Sequence, residues 1–295
     1  MKIKIPEELK ADVPQTIWGK IFSATPVVMT VIATMLAGLA SSEMTRAQYD
    51  RSLAAQQQSK AGDQWSYFQA KRVRAALQRN TLDLLQATVD VHALDLGKLA
   101  APISAGVRTA LEKGELAAIP PAGALDGKVK AALEAIESQQ LEPKIAALLS
   151  DVSDDELARA LTAARERANA LDAATTPVNR AIDEIEKSLA AGEQSLRRDF
   201  TFVRMRYTAA RYDAEARLNQ AIANLLELQV RKNNISAERH HRRSGRFFFG
   251  MLGAQAAVII ATFAIAARKR NLLWSLAAAA GAAAISFAVY VYWFV

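Results

Sequence analysis

Polar and apolar positions divide this chain into long blocks rather than short alternating stretches. Three blocks contain no Asp, Glu, Lys, Arg or His: residues 21–42, 247–267 and 271–295. As an α-helix the first would extend about 33 Å, close to the hydrocarbon thickness of a bilayer. All three read as transmembrane helices, at 21–42, 247–267 and 272–295. Residues 268–271, Arg268-Lys269-Arg270-Asn271, are long enough only for a tight basic turn, so the last two spans predict an antiparallel hairpin. Trp18, Phe247, Phe248, Phe249, Trp274, Tyr290, Tyr292 and Trp293 stand where membrane interfaces favour aromatic rings. The first span is too long for the apolar core of a cleaved signal, which runs to about 15 residues. The polar leader, 1–20, also carries Glu7, Glu8 and Asp12, so an uncleaved anchor is expected.

Residues 43–246 read as a helical extramembrane domain. Over 43–93 there is no Pro and one Gly, which predicts an outgoing helix continuing the first span. On it Ala70, Val73, Leu77, Leu84 and Thr88 form an apolar stripe at three- and four-residue spacing, with Lys71, Arg74, Gln78 and Asp83 on the opposite face. Residues 94–150 are punctuated by Gly97, Pro102, Gly106, Gly114, Pro120, Pro121, Gly123 and Gly127, and predict a head of short helices where the chain turns around. Returning helices follow over 153–245. Ser153 with Glu156 three residues on is a capping-box pattern opening a helix to about Asp172, and Pro177 suits the first position of another. That helix would run from Pro177 through Gly245 into the second span. Val203, Tyr207, Ala210 and Ala214, then Leu218, Ile222, Leu225 and Leu228, give it two seams of near-heptad spacing. The fold class is therefore all-α: three transmembrane helices with a long antiparallel, coiled-coil-like stalk.

Composition agrees with helices, since alanine supplies 60 of 295 residues and has the highest helix propensity. The net charge of +7 first suggests nucleic acid, and its location removes that reading. Residues 1–20 hold four Lys and three acids, a net of +1, and residues 21–238 hold 26 basic and 27 acidic groups, a net of −1. The remaining +7 is Arg239, Arg242, Arg243, Arg246, Arg268, Lys269 and Arg270. These flank the second span or form the hairpin turn, where cations meet anionic lipid headgroups. Nucleic-acid binding would need basic side chains spread over a soluble face. The lysines of the leader and the basic hairpin turn favour a cytoplasmic N-terminus, which would place the helical domain on the far side of the membrane.

Little in the chain carries reaction chemistry. With no Cys there is no thiolate, disulfide or iron–sulfur ligand. Neither a phosphate-binding glycine loop nor a nucleophile elbow is present. His240 and His241 point in different directions on a helix with no carboxylate in the following turn, so they read as interfacial residues among arginines, and no metal is expected. Within the spans Thr30, Thr34 and Gln255 are accounted for by hydrogen bonds between helices.

One segment departs from the alanine-rich background. Residues 62–71, Gly62-Asp63-Gln64-Trp65-Ser66-Tyr67-Phe68-Gln69-Ala70-Lys71, carry three aromatics in four positions. On a helix these rings point in different directions, so they either pack among several helices or bind something. Packing against Tyr207, Tyr212 and Phe202 of the returning helix is the expected arrangement. The longer string from Ser59 to Arg74, together with the N-proximal span and the C-terminal hairpin, resembles the bacterial DUF4337 family of membrane proteins. The resemblance implies a three-span bacterial membrane protein and singles out Asp63, Gln64, Trp65, Tyr67, Phe68, Gln69 and Lys71 as an interaction cluster. It implies no activity, and no enzyme or cofactor is expected. The function expected is that of a self-associating scaffold or envelope-organising factor, a homo-oligomer in the bilayer. The alternative is an oligomeric channel or transport accessory.

Overall fold

The computed structural model describes residues 17–99, 103–116, 125–189, 194–266 and 270–294. Most of the leader, together with Pro102, Pro120, Pro121, Gly123, Arg268 and Lys269, lies outside the described residues. Every regular element among those described is helical: α1 (Ile17–Thr88), a single 3-10 turn (Leu96–Lys98), α2 (Ala105–Lys113), α3 (Gly127–Glu137), α4 (Glu142–Ser150), α5 (Asp154–Ser188), α6 (Gln194–Ala266) and α7 (Arg270–Phe294). Helices α1, α6 and α7 are long and apolar enough to cross a membrane. Chain contacts divide the molecule into two compact units, one formed by Met1–Ser52 with Asn233–Val295 and the other by Leu53–Lys232.

In the first unit, small residues set the approach of three helices. Met29, Ala33, Leu36 and Ala40 of α1 pack with Phe247, Ala254 and Ala257 of α6 and with Ala284 and Val291 of α7. A side chain added at Gly281 would meet the Met29 thioether at 2.8 Å, so the absence of a β-carbon there lets α7 lie close to α1. Trp274 is buried on Ala261, Ala264 and Ala277. Thr30 and Thr34 depart from expectation. Their hydroxyls donate back along α1, to the carbonyls of Pro26 at 2.8 Å and Thr30 at 2.9 Å. Back-bonding of this kind satisfies a hydroxyl with no second helix.

In the second unit the chain direction of α1 opposes that of α6. Trp65 bonds Glu227, Lys71 pairs with Glu215, Arg79 pairs with Asp213, and the His92 N–H donates to Asp199. Helix α5 lies on another face of α6, where Leu171 packs with Ala214 and Leu218, and Val178, Ile182 and Ile185 pack with Phe200, Val203 and Tyr207. The seam read through Val203, Tyr207, Ala214 and Leu218 is therefore buried, on α5 and α2. The punctuated segment 94–150 is not one head. Helix α2 sits beside Arg206, which donates to the Glu112 carbonyl at 2.7 Å. Helices α3 and α4 lie much further along α6, where Asn224 meets Glu137 and Arg231 meets Glu142. From Arg206 to Arg231 is roughly 40 Å of helix. Gly114 closes α2 with φ of 63°, and Arg206 lies over it where a β-carbon would stand.

Three helix boundaries differ from the sequence reading. Helix α1 ends at Thr88 rather than 93. Pro177 is interior to α5, not at the start of a helix, because Leu171, Val178, Ile182 and Ile185 are buried on both sides of it. Packing along that face outweighs the one backbone bond a proline removes. Helix α5 then stops at Ser188, so the helix entering the last apolar stretches begins at Gln194 and not at Pro177.

The capping box is as expected. Glu156 N–H donates to the Ser153 hydroxyl at 3.1 Å, and Ser153 N–H donates to the Glu156 carboxylate at 2.6 Å. The bond from the Ser153 N–H, with that from its side chain, holds the Glu156 carboxyl below the usual glutamate range. A lowered folded value means that the contribution of this cap is fully present above the ordinary glutamate range and is lost as pH falls through the folded value. Ser153→Ala should cost about 1 kcal/mol in chemical unfolding at neutral pH. Its deficit against the parent should shrink in acid; an equal deficit at pH 3 would contradict this account.

The largest departure concerns which face of α1 is inside. The stripe of Ala70, Val73, Leu77, Leu84 and Thr88 is exposed. The buried face repeats every seven residues: Ala33, Ala40 and Ala47 in the first unit, and Ala54, Ala61, Ala75 and Leu82 in the second. Helix α6 carries a matching repeat, buried at Ala209, Ala216, Ala223, Val230, Ala237 and Ser244. The Ser244 hydroxyl donates to the Ala40 carbonyl at 2.7 Å. Counting in sevens from that contact sets Ala47 opposite Ala237 within the first unit. Small side chains at such positions allow close helix approach. The companion positions on α1 are mostly polar, Glu43, Asp50, Gln57, Gln64, Lys71 and Gln78, and all are buried or half-buried.

Candidate interaction site

The string on α1 separates into rings that pack and one that does not. Trp65 is half-buried, its indole N–H donating to Glu227 of α6 at 2.7 Å. Its ring meets Phe68 edge-on, with centroids 5.3 Å apart, and Arg72 lies over Phe68 at 5.5 Å. Tyr67 is 58% exposed. Asp63 and Gln69 are exposed, whereas Gln64 and Lys71 are half-buried and turned to the neighbouring helices. The partners differ from those expected. Tyr207 and Phe202 belong to the core formed with α2 and α5, and Tyr212 carries Lys71 at 5.1 Å, Arg211 at 5.0 Å and Arg74 at 6.0 Å from its ring centre.

Trp65→Ala should therefore destabilise the protein by about 2 kcal/mol, through lost packing and an unpaired Glu227 acceptor. Trp65→Phe, which keeps a ring without the N–H, should fall between. Thermal unfolding in detergent measures both; a Trp65→Ala protein melting with the parent would show that the indole packs nothing of consequence.

Between α1, α5 and α6 this segment lines a cleft of about 330 Å³ with Ala168, Leu171, Asp172, Glu215, Leu218 and Asn219. Only Gln64, Tyr67 and Lys71 of the string reach it. The α1 wall could be found from the sequence string. Residues 168–172 and 215–219 could not, because no local pattern joins segments so far apart.

A second polar centre, in the first unit, has no sequence signal. Glu43 is 7% exposed at the end of the first apolar stretch. One carboxylate oxygen lies 2.5 Å from His240 Nδ1, and the other lies 3.5 Å from Arg243 and 4.0 Å from Arg46. His240 is thus held by a carboxylate 197 residues away, which a search of its own helical turn does not find. Among the described residues no group of His and acids has the makings of a metal site.

This centre also divides the basic flank. Arg239 and Arg242 are exposed, and Arg242 donates to Glu238 at 2.8 Å, holding that carboxyl below the usual glutamate range. Arg243 is engaged by Glu43, and Arg246 lies 5.9 Å from the centre of the Tyr290 ring. Arg270 opens α7.

Comparison with known proteins gives one match, over part of the chain. Residues 19–113 match a family model described as a domain of unknown function, DUF4337, and this segment contains the string from Ser59 to Arg74. No curated protein and no solved structure matches the chain. Over residues 19–113, which run from within α1 to the end of α2, the chain is similar to the DUF4337 family.

Proposed function

We propose that this chain is a non-enzymatic integral membrane protein that self-associates through a coiled-coil-like extramembrane domain and serves as a scaffold or envelope-organising factor. Three helices long and apolar enough to span a bilayer support the membrane part of this reading. The observation that carries self-association is the exposed row of Val73, Leu77 and Leu84 on α1, each more than half exposed and outside the apolar stretches. An apolar row on a charged helix is covered in water by another protein surface, and in a homo-oligomer the covering surface is a second copy. The exposed Arg239 and Arg242, with the hairpin turn, would meet anionic headgroups; no nucleic acid is involved.

Light-scattering mass in detergent tests the proposal. The parent should be an oligomer and Leu77→Glu a folded monomer; a monomeric parent would overturn it. Ion flux through liposomes carrying the parent would favour the channel reading. A single Cys at Asp126, labelled from either side of the membrane, tests a cytoplasmic N-terminus and a periplasmic helical domain in the bacterial inner membrane.

A further inference from the structure

We propose that the cleft between Tyr67 on α1, Asp172 on α5 and Asn219 on α6 binds a small organic cation, an alkylammonium or quaternary ammonium. Its size suits such a guest, and Leu171 and Leu218, both buried, with Ala168 give it an apolar floor for methylene or methyl groups.

The polar groups around that floor are mainly acceptors. The Gln64 side-chain oxygen is enclosed with no hydrogen-bond partner. The Asn219 amide nitrogen is committed to the Glu215 carbonyl at 2.8 Å, which leaves its oxygen as the free end. Asp172 is exposed and makes no ion pair among the described residues. The one cation of the wall, Lys71, is held by Glu215, which Arg211 also approaches at 3.4 Å. An anion would find no uncommitted positive group here, whereas an ammonium finds acceptors and a carboxylate.

The aromatic rings point the same way. Tyr212 and Phe68 already have Lys or Arg side chains of the chain over them. Tyr67 lines the cleft, and among the described residues no cation of the chain lies over its ring. An exposed ring beside an unpaired carboxylate is the arrangement that favours a desolvated ammonium.

Calorimetric titration of the full chain in maltoside micelles tests this, with putrescine and tetramethylammonium as ligands and succinate and glycerol as controls. Saturable binding of an ammonium probe and none of the controls is expected. Tyr67→Ala should weaken it roughly tenfold, whereas Tyr67→Phe, which keeps the ring face, should stay within about threefold of the parent. Asp172→Asn should weaken binding, and all three variants should keep the parent's unfolding midpoint. No saturable heat from either ammonium, equal binding of succinate or glycerol, or undiminished binding by Tyr67→Ala would overturn the proposal.

Discussion

Replacing Glu43 by Ala is expected to destabilise the protein by about 3 kcal/mol or more, among the largest effects of any single substitution outside the apolar core. Its carboxylate is enclosed and faces His240, Arg243 and Arg46. Removing one partner from a buried ionic group leaves the others desolvated without compensation, which costs far more than the group contributes as a set. The environment explains why the contact is so exacting. Arg243 is largely enclosed, and the Ser244 hydroxyl beside it is spent on the Ala40 carbonyl. Glu43→Gln should recover part of the loss by keeping an acceptor for His240. A Glu43→Ala, His240→Leu double variant should be more stable than the sum of the single changes implies, because the imidazole left alone is gone. Chemical unfolding in detergent measures all five proteins: the parent, Glu43→Ala, Glu43→Gln, His240→Leu and the double variant. If Glu43→Ala unfolds within about 0.5 kcal/mol of the parent, the carboxylate is not holding these groups.

The second large effect reverses what hydrophobicity alone would suggest. Ala61→Leu adds apolar bulk, yet it should cost about 1–3 kcal/mol, because Ala61 is fully buried at the repeat facing α6. Leu77→Ala, which removes apolar bulk from the same helix, should change the stability of the single chain by less than about 0.5 kcal/mol, since Leu77 is 58% exposed. The pair makes a clean comparison on one helix. Ala223→Leu on α6 should resemble Ala61→Leu, since Ala223 is also fully buried. A Leu77→Ala change that is the more damaging of the two in a monomer would mean that the Leu77 face of α1, and not the Ala61 face, is inside.

That reversal shows what the sequence could disclose. Helix, not sheet, followed from alanine content and unbroken runs, and the three apolar stretches followed from missing charge. The capping box at Ser153 and Glu156 was readable because both bonds lie within three residues. The inward face of α1 was not readable. Its repeat is Ala at one position and Glu, Asp, Gln or Lys at the other, so a search for large apolar side chains selects the outward Val73, Leu77 and Leu84. Alanine buries by allowing contact rather than by providing area, and a hydrophobicity pattern does not register that. Pro177 misled for a related reason: its local preference for a helix start yields to the burial of Leu171 and Val178 on either side. At the candidate site the α1 string was legible, and its correct partners were not. Glu227 and Glu215 are ordinary charged residues until α6 is laid against α1.

The alanine repeat has a mechanical consequence. A surface of nearly identical small side chains looks much the same after a shift of seven residues, about 10 Å along the helix axis. The repeat therefore supplies closeness but almost no preference among successive alignments. That preference falls to the contacts that occur once: Ser244 with Ala40 and Glu43 with His240 in one unit, and Trp65 with Glu227, Lys71 with Glu215 and Arg79 with Asp213 in the other. These act as detents on an otherwise smooth track. Loosening them would lower the resistance to axial sliding of α1 on α6 while leaving each helix intact.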